Sequence, residues 1–476
     1  MSFLPPAADL PEGPVSRFSR RALLRAGVIG GGSTAVLAAA GGTAFAADGS
    51  GSGSSPGAPS PMQNLFTLSD LDFETLFAFG SAGYGCAEFG ELVTAVNQIN
   101  TAGASYQTYY DTFHALAQSV STLAGQELAA GHRTAAQSAY LRASTYYDMC
   151  LYFILGTTAA AREAQSYADV QRCWQAASQL FDTPFEQVRI PYGDTWLPGY
   201  FLKPDARPIR RPTIILNNGE DAQNITLYAN GGADALARGY NALIFEGPGQ
   251  GWMLFERQIP FRHDWENVVT PIVDYLRARP DVDPRRIALN GSSLGGELVV
   301  RAAAFEHRLA AVVADPGFLS LWLSWTTGYS ELGTLFSSGL TPQEINQVWQ
   351  TEIVPTLDAS DRYNVAKRAE GYGRQFLLAA RAGQVFADLN AFGTAAMQFT
   401  VADVAAQITT PTFVTSYQDD DLVIPPDGQG AAVYGLLRCD KQAYQFTEAQ
   451  GAQLHCAPMA PQTRNQVVYD WLDSIL

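Results

Sequence analysis

The chain has 476 residues, 47% of them hydrophobic, which is enough for a catalytic domain plus a second domain or a large cap. Its formal net charge of −16 argues against nucleic acid or an anionic membrane surface as a partner. Only five histidines are present, so a multi-histidine metal site is not expected. The five cysteines show no metal-ligand spacing, and their odd number leaves at least one unpaired or paired between chains.

The N-terminus has the features of an export signal. Ser19 to Arg25 resembles the twin-arginine signal, an apolar stretch follows from Ala26 to Ala40, and Ala44-Phe45-Ala46 has the small-x-small cleavage pattern. We therefore predict a signal peptide at 1–46, with a retained membrane anchor as the alternative. Residues 47–63 are rich in Gly, Ser and Pro and are predicted to form a disordered linker.

Residues 64–183 are predicted to form an all-helical cap domain. From Ala136 to Phe153, small and aromatic residues recur at helical spacing. Packing of helix against helix explains this pattern most simply, although so many tyrosines could also line an apolar pocket.

Residues 184–476 are predicted to form an α/β domain. Two strands flanking Gly193-Asp194 form a hairpin, and apolar strands separated by helical segments follow it. Such alternation indicates a mostly parallel sheet covered by helices on both faces, and the hairpin suggests an antiparallel edge. Residues 318–400 show little strand character, which favours a helical insertion over a loop.

A G-x-S-x-G motif at Gly291 to Gly295 lies between a predicted strand ending near Asn290 and a helix-forming stretch from Glu297. This context is typical of a nucleophile elbow, a tight strand-to-helix turn that holds a serine hydroxyl above the sheet edge. An ordinary glycine turn is the alternative. The motif predicts Ser293 as the nucleophile.

A serine nucleophile needs a base and an acid, which follow it along the chain in this architecture. Of the histidines after Ser293, His307 falls near the end of the elbow helix, where a structural role is expected, and His455 lies in a loop after the last strand. His455 is therefore the predicted base. Asp421, four residues before Pro425, is the predicted acid; Asp420 is its main competitor, and Asp419 lies in the same loop.

Acyl transfer also needs donors for the oxyanion. The backbone N–H of Leu294 is one candidate, and the loop after Asn217 supplies Gly219 or Glu220 as the other. The glycine loop at 246–251 lacks the lysine of a phosphate-binding loop and is interpreted as a tight turn below the active site.

These stretches together resemble a branch of the α/β-hydrolase superfamily, esterase-like hydrolases with an N-terminal helical domain. The matching runs are Leu236 to Tyr240, Gly247 to Gly251, Gly291 to Gly296, Arg301 to Glu306, and Gly451 with His455-Cys456. The resemblance implies helices that cap the active-site mouth and a Ser293, Asp421, His455 triad. It also implies that Glu220 matches a glutamate that assists a C–C bond hydrolase of this branch.

We therefore expect an exported serine hydrolase, secreted or in the periplasmic or cell-wall space, that cleaves carboxylic esters. No metal, organic cofactor, nucleic-acid partner or membrane span after processing is expected. The substrate would be a small ester or ketone in an apolar, aromatic pocket. Hydrolysis of a C–C bond next to a ketone, or of an amide or peptide, is the alternative on the same triad, and a catalytically silent binding module is the other class. The oligomeric state stays open between monomer and homodimer.

Overall fold

The computed structural model describes residues 64–476, so the predicted signal peptide and linker lie outside the described residues. In this range no helix has both the length and the apolar character needed to cross a membrane. The first part of the described chain is helical, as its residue spacing predicts. Its main helices are α1 (Asp72–Ser81), α2 (Phe89–Ala102), α3 (Tyr106–Ala129), α4 (Arg133–Phe153) and α5 (Glu163–Ser178).

The start of α3 shows how the local sequence defines a helix boundary. The Ser105 hydroxyl accepts a hydrogen bond from the Thr108 backbone N–H at 3.1 Å, and the Thr108 hydroxyl accepts one from the Ser105 N–H at 3.0 Å. This reciprocal arrangement satisfies backbone donors that would otherwise lack partners at a helix start.

The second part of the described chain is built on an eight-stranded sheet in the order β1-β2-β4-β3-β5-β6-β7-β8. The first two strands form the predicted hairpin, β2 pairs antiparallel with β4, and the remaining neighbours are parallel. Because the parallel strands run the same way, the loops after them meet at one edge. The strands are β1 (Glu186–Tyr192), β2 (Thr195–Leu202), β3 (Arg211–Asn217), β4 (Asn241–Phe245), β5 (Val282–Ser292), β6 (Ala311–Asp315), β7 (Thr412–Tyr417) and β8 (Lys441–Phe446).

Helices connect most of these strands, which confirms the α/β-hydrolase architecture expected from the sequence. Those outside the insertion are α6 (Asn224–Leu227), α7 (Ala233–Ala237), α8 (Gly251–Phe255), α9 (Glu266–Arg277), α10 (Gly295–Ala303), α17 (Pro426–Leu436) and α18 (Pro461–Asp473). The stretch between β6 and β7 is helical apart from short turns and a single bridge between Ser320 and Thr400. It contains α11 (Leu321–Gly328), α12 (Ser330–Ser337), α13 (Pro342–Val348), α14 (Ala359–Ala369), α15 (Arg374–Arg381) and α16 (Leu389–Ala396).

One apolar core joins the N-terminal helices to the sheet and to the insertion. Tyr109 and Phe153 from the helices, Ile244 and Val313 from the sheet, and Leu377 from the insertion belong to the same buried cluster. The aromatic residues of α3 and α4 therefore mainly pack helix against helix, as the simpler interpretation of their spacing predicts. Since burial of apolar area is the dominant favourable term in folding, the helical region is expected to contribute to the stability of the sheet.

Trp174 in α5 provides a test of this shared core. Its side chain is fully buried, and its ring centroid lies 5.9 Å from that of Phe185, 5.5 Å from that of Tyr200 and 5.8 Å from that of Tyr228. Replacing a buried tryptophan by alanine leaves a cavity and costs about 3–5 kcal/mol. We expect Trp174→Ala to lower the free energy of unfolding by that amount in denaturant unfolding followed by circular dichroism.

Leu123→Ala is the matched control, because this α3 side chain is 41% exposed. The control is expected to stay within about 0.5 kcal/mol of the unaltered protein. Equal unfolding midpoints for the two variants would contradict a core shared between the helices and the sheet.

Candidate active site

Ser293 lies in the sharp turn between β5 and α10. Its backbone φ is +60°, a left-handed conformation that is uncommon for a residue with a side chain. The strand and helix approach so closely that a Cβ on Gly291 would overlap the carbonyl oxygen of Gly295. The turn therefore requires glycine at 291 and holds Ser293 in a strained conformation, as in a nucleophile elbow.

The Ser293 hydroxyl is in hydrogen-bond contact with an imidazole. Oγ of Ser293 lies 2.9 Å from Nε2 of His455, and Nδ1 of His455 lies 2.9 Å from Oδ2 of Asp420. The imidazole and the carboxylate are both only 3% exposed. His307 instead lies on the surface, where its Nδ1 is 3.4 Å from the Thr409 hydroxyl.

The structure corrects the predicted acid, because Asp420 rather than Asp421 contacts His455. Asp420 lies in the loop after β7, and its Oδ1 accepts hydrogen bonds from the backbone N–H groups of Leu422 and Val423, both at 2.9 Å. These two bonds orient the carboxylate so that Oδ2 faces His455. Asp421 is exposed in the same loop. The spacing to the following proline therefore picks the wrong member of the Asp pair.

The Asp420 carboxylate affects the charge state of His455. Burial opposes a charged imidazole, but the charge and hydrogen bond of Asp420, together with the adjacent Cys456, outweigh burial and raise the pKa of His455 well above its ordinary value. A carboxylate in this position would stabilise an imidazolium if His455 accepted a proton from Ser293.

A buried ion pair lies beneath the turn. The backbone N–H of Ser293 donates to the carbonyl oxygen of Asp315 at 2.8 Å, and the Asp315 carboxylate accepts from Nε of Arg464 at 2.6 Å. Arg464, in α18, also donates to the Ser292 hydroxyl at 3.4 Å. The C-terminal helix is therefore linked to the serine turn through Asp315, the last residue of β6.

Gly219, a predicted oxyanion residue, lies directly against the serine turn. A Cβ at this position would lie 2.7 Å from Cβ of Ser293 and 2.9 Å from the backbone nitrogen of Leu294. Only glycine permits this approach. The backbone of Gly219 therefore lies close to Ser293 and to the backbone nitrogen of Leu294.

Gln250 supports this loop, a role that the sequence interpretation missed. Its Nε2 donates to the carbonyl oxygens of Asn218 at 2.7 Å and Gly219 at 3.0 Å. Trp265 donates to Oδ1 of Asn217 at 2.7 Å. The glycine loop at 246–251 therefore does more than turn the chain below the site, because its glutamine side chain orients the carbonyls of the oxyanion-side loop.

The Glu220 side chain is directed toward the helical insertion. Its carboxylate accepts hydrogen bonds from the Tyr372 hydroxyl and, at 3.3 Å, from Nη1 of Arg368. Burial raises the pKa of Glu220, with the Arg368 charge acting against that rise. The neighbouring Asp221, rather than Glu220, lines the cavity at Ser293. The Glu220 side chain thus anchors the loop to the helical insertion.

A cavity connects the serine turn with the N-terminal helices. Phe73 of α1 contributes to its wall, and the Phe73 ring centroid lies 6.4 Å from that of His455. The lining residues are Phe73, Glu74, Phe77, Asp148, Met149, Tyr152, Asn218, Asp221, Ala222, Thr226, Leu227, Asn230, Ser292, Ser293, Leu422, His455 and Cys456. The helices α1 and α4 therefore cover the serine turn.

The cavity wall differs in part from the apolar, aromatic pocket that the sequence predicts. The expected aromatic residues are present, but Glu74, Asp148 and Asp221 place three carboxyl groups in the same wall. These residues are far apart in sequence, and no motif connects them. Only the packing of α1 and α4 over the β3 loop brings them together.

Comparisons with known proteins agree with this architecture. The model of a family described as "Alpha/beta hydrolase family" matches residues 222–462. The chain is 36% identical over 274 residues to Hydrolase ORFZ of Pyricularia oryzae, a match that covers 55% of this chain and 64% of that protein. It is 35% identical over 293 residues to Alpha/beta hydrolase xenA of Xenoacremonium sinensis, covering 58% of this chain and 68% of that protein.

The crystal structure of 2,6-dihydroxy-pseudo-oxynicotine hydrolase superimposes with a TM-score of 0.59 at 21% identity, covering 83% of this chain and 95% of that one. At that identity the likeness concerns the fold. Because the family model matches half of the chain and the sheet has the expected topology, the chain belongs to the alpha/beta hydrolase family.

The two adjacent aspartates give a matched test of the acid. Asp420→Asn keeps an oxygen for the backbone bonds of its loop but removes the charge beside His455. We expect it to lower the rate at which Ser293 reacts with a fluorophosphonate by about 10³–10⁴-fold, as in other serine triads. Asp421→Asn is expected to react at nearly the rate of the unaltered protein. A larger loss in Asp421→Asn than in Asp420→Asn would contradict the assignment.

Proposed function

We propose that this protein is a serine hydrolase that cleaves carboxylic esters through an acyl-enzyme formed on Ser293. The observation that supports the proposal is a pair of 2.9 Å contacts, one between Ser293 and His455 and the other between His455 and Asp420. A serine hydroxyl is a weak nucleophile at its own pKa, and this arrangement supplies the base and the orienting carboxylate that it needs.

In the first step, Nε2 of His455 accepts the hydroxyl proton as Oγ of Ser293 attacks the ester carbonyl. The Asp420 carboxylate stabilises the imidazolium, which then donates its proton to the departing alcohol. The carbon–oxygen bond of the leaving group breaks and leaves an acyl group on Ser293. Water, deprotonated by His455, attacks this ester and releases the carboxylic acid.

The oxyanion of each tetrahedral intermediate would lie between the backbone N–H of Leu294 and an N–H of Gly219 or Glu220. The close contact between Gly219 and the serine turn supports this placement. Donors of this kind act strongly in a site that excludes water, and each contributes about 10²–10³-fold to the rate. The Gln250 side chain holds the loop that presents them.

Replacement of the nucleophile tests the reaction directly. We expect Ser293→Ala to abolish fluorophosphonate labelling and to lower ester hydrolysis by at least about 10³-fold, because the step that forms the acyl-enzyme is lost. Ser292→Ala, which removes the neighbouring hydroxyl, should still label. Turnover is measured on a panel of esters with amides and 1,3-diketones beside them.

The panel also separates the alternatives. If the protein hydrolyses the diketones but not the esters, its reaction is C–C bond cleavage and not ester hydrolysis. If it hydrolyses only the amides, it is an amidase. No labelling and no turnover would favour a catalytically silent binding protein on the same fold.

The raised pKa of His455 predicts how the reaction depends on pH. Only the neutral imidazole can accept the Ser293 proton, so reactivity should fall as the pH drops through the pKa of His455. Because the Asp420 charge raises that pKa, we expect the midpoint to lie above about 6.5, the ordinary value for histidine. Asp420→Asn should move the midpoint to lower pH. A midpoint that does not move in Asp420→Asn would contradict the role given to this carboxylate.

We also propose that the protein is exported by the twin-arginine route, on the strength of the N-terminal sequence. Ser19-Arg20-Arg21 and the apolar stretch after them carry this proposal, with cleavage after Ala46. In a host with this pathway, replacing both arginines by lysine should retain the protein in the cytoplasm. A mature N-terminus at Ala47 supports the cleavage site, whereas an intact N-terminus in the membrane fraction would favour a retained anchor.

A further inference from the structure

The cavity at Ser293 has an acidic wall formed by the three carboxyl residues Glu74, Asp148 and Asp221. They come from α1, from α4 and from the loop after β3. Glu74 is only 9% exposed and Asp148 only 6%, so both carboxyl groups are largely removed from bulk water although they line the cavity. Buried acids of this kind are costly unless something compensates them.

The cations near this wall already form ion pairs with Asp221 and with two acids outside the wall. Arg368 donates to Asp221 at 3.0 Å and to Glu220 at 3.3 Å, and Lys367 pairs with Glu370 at 2.6 Å and with Asp221 at 3.4 Å. Within residues 64–476, Glu74 and Asp148 form no ion pair.

Asp148 has a neutral hydrogen-bond partner, because the Thr226 hydroxyl donates to its Oδ2 at 2.9 Å. The Tyr152 hydroxyl accepts a hydrogen bond from Arg368 at 3.4 Å. The acidic wall therefore has two carboxyl groups, those of Glu74 and Asp148, that the nearby cations do not pair with.

The pKa values of these groups also suit a site that binds a cation. Burial, together with the nearby charges of Asp221 and Asp148, raises the pKa of Glu74 to about 8, while Arg368 and Lys367 oppose the rise. Burial likewise raises the pKa of Asp148 to about 7, against the Thr226 hydrogen bond and the charge of Lys367. At neutral pH Glu74 is therefore mostly protonated and Asp148 partly protonated, whereas Arg368 and Lys367 lower the pKa of Asp221 against the effect of burial. A cation beside Glu74 and Asp148 would favour their ionised forms.

Aromatic side chains complete the surroundings. Phe73 and Phe77 from α1 and Tyr152 from α4 line the same cavity as Glu74. Aromatic rings next to carboxylates suit alkylammonium groups, because the ring faces attract the cation while its methyl and methylene groups are buried. A neutral alkyl group would gain from the rings but would leave the carboxyl groups without a partner.

We propose that Glu74, together with Asp148, binds an ammonium group of the substrate, so that the protein prefers acyl substrates carrying a cationic amine. The inference rests on the proposed function, because the same cavity holds Ser293 and His455. Glu74 and Asp148 act as specificity-determining residues: they position the amine while the acyl carbon lies at Ser293.

Binding to the Ser293→Ala protein tests this inference without turnover. The probes are ethyl 4-(dimethylamino)butyrate and its neutral isostere ethyl 5-methylhexanoate, compared by titration calorimetry near neutral pH. We expect the ammonium ester to bind at least about tenfold more tightly, the scale of a hydrogen bond to a charged group. Its binding should also release protons, seen as a dependence of the measured heat on the buffer, because Glu74 and Asp148 ionise.

Variants assign the effect to the acidic wall. In the Ser293→Ala background, Glu74→Gln should abolish most of the preference and lower the proton release, and Asp148→Asn, which keeps an acceptor for Thr226, should weaken both. Glu88→Gln removes an exposed carboxylate of the same helical region and should change neither. Equal binding of the two esters, no binding of the ammonium ester, or an unchanged preference in Glu74→Gln overturns the proposal.

The unaltered protein keeps this inference distinct from the proposed function. If the protein hydrolyses both esters at equal kcat/KM, and both bind equally to Ser293→Ala, the amine preference is contradicted and the esterase proposal is supported. The opposite result is that the protein neither hydrolyses the esters nor reacts with the fluorophosphonate, but still prefers the ammonium ester and loses this preference in Glu74→Gln. That result contradicts the esterase proposal and supports an amine-binding cavity.

Discussion

The close approach of β5 and α10 is the constraint on which the rest of the site depends. Without side-chain atoms at 291, the strand can turn into the helix within two residues, and this turn holds Ser293 at a positive φ. Contacts beneath the turn stabilise this conformation. The Ser293 N–H donates to the backbone carbonyl oxygen of Asp315, and the Asp315 side chain is paired with Arg464. A buried pair of this kind is costly to break, because removing one partner leaves an uncompensated charge. These contacts thus hold the backbone at Ser293.

A second consequence of the fold is that three separate chain segments meet around this hydroxyl. Loops after β7 and β8 supply Asp420 and His455, and the loop after β3 supplies the oxyanion side. Parallel strands end at the same edge of the sheet, which explains how residues so distant in sequence become neighbours. The N-terminal helices then close the cavity from the opposite side, with Phe73 close to His455. They share one core with the sheet, and this fixes their side chains relative to Ser293.

The helical layers give the cavity its chemical character. The same arrangement of serine, histidine and aspartate can serve several reactions, so the choice of substrate would depend on the residues around Ser293. In this protein α1 and α4 contribute both aromatic rings and buried carboxyl groups. The insertion contributes Arg368 and Tyr372, which hold Glu220 and Asp221 from outside the cavity. Glu220 therefore has its hydrogen-bond partners in the insertion, whereas Glu74 lines the cavity at Ser293.

The sequence by itself determined the α/β-hydrolase fold, the serine turn, and the pairing of Ser293 with His455, because these depend on local patterns: strand and helix periods, required glycines and chain order. Only the tertiary structure decided between Asp420 and Asp421, since both satisfy the pattern and the choice depends on which carboxylate the loop amides orient toward His455. It also revealed Gln250 beneath the oxyanion-side loop and the acidic wall at Glu74 and Asp148. These residues carry no spacing signal, because side chains from separate segments come together only when the segments pack against one another.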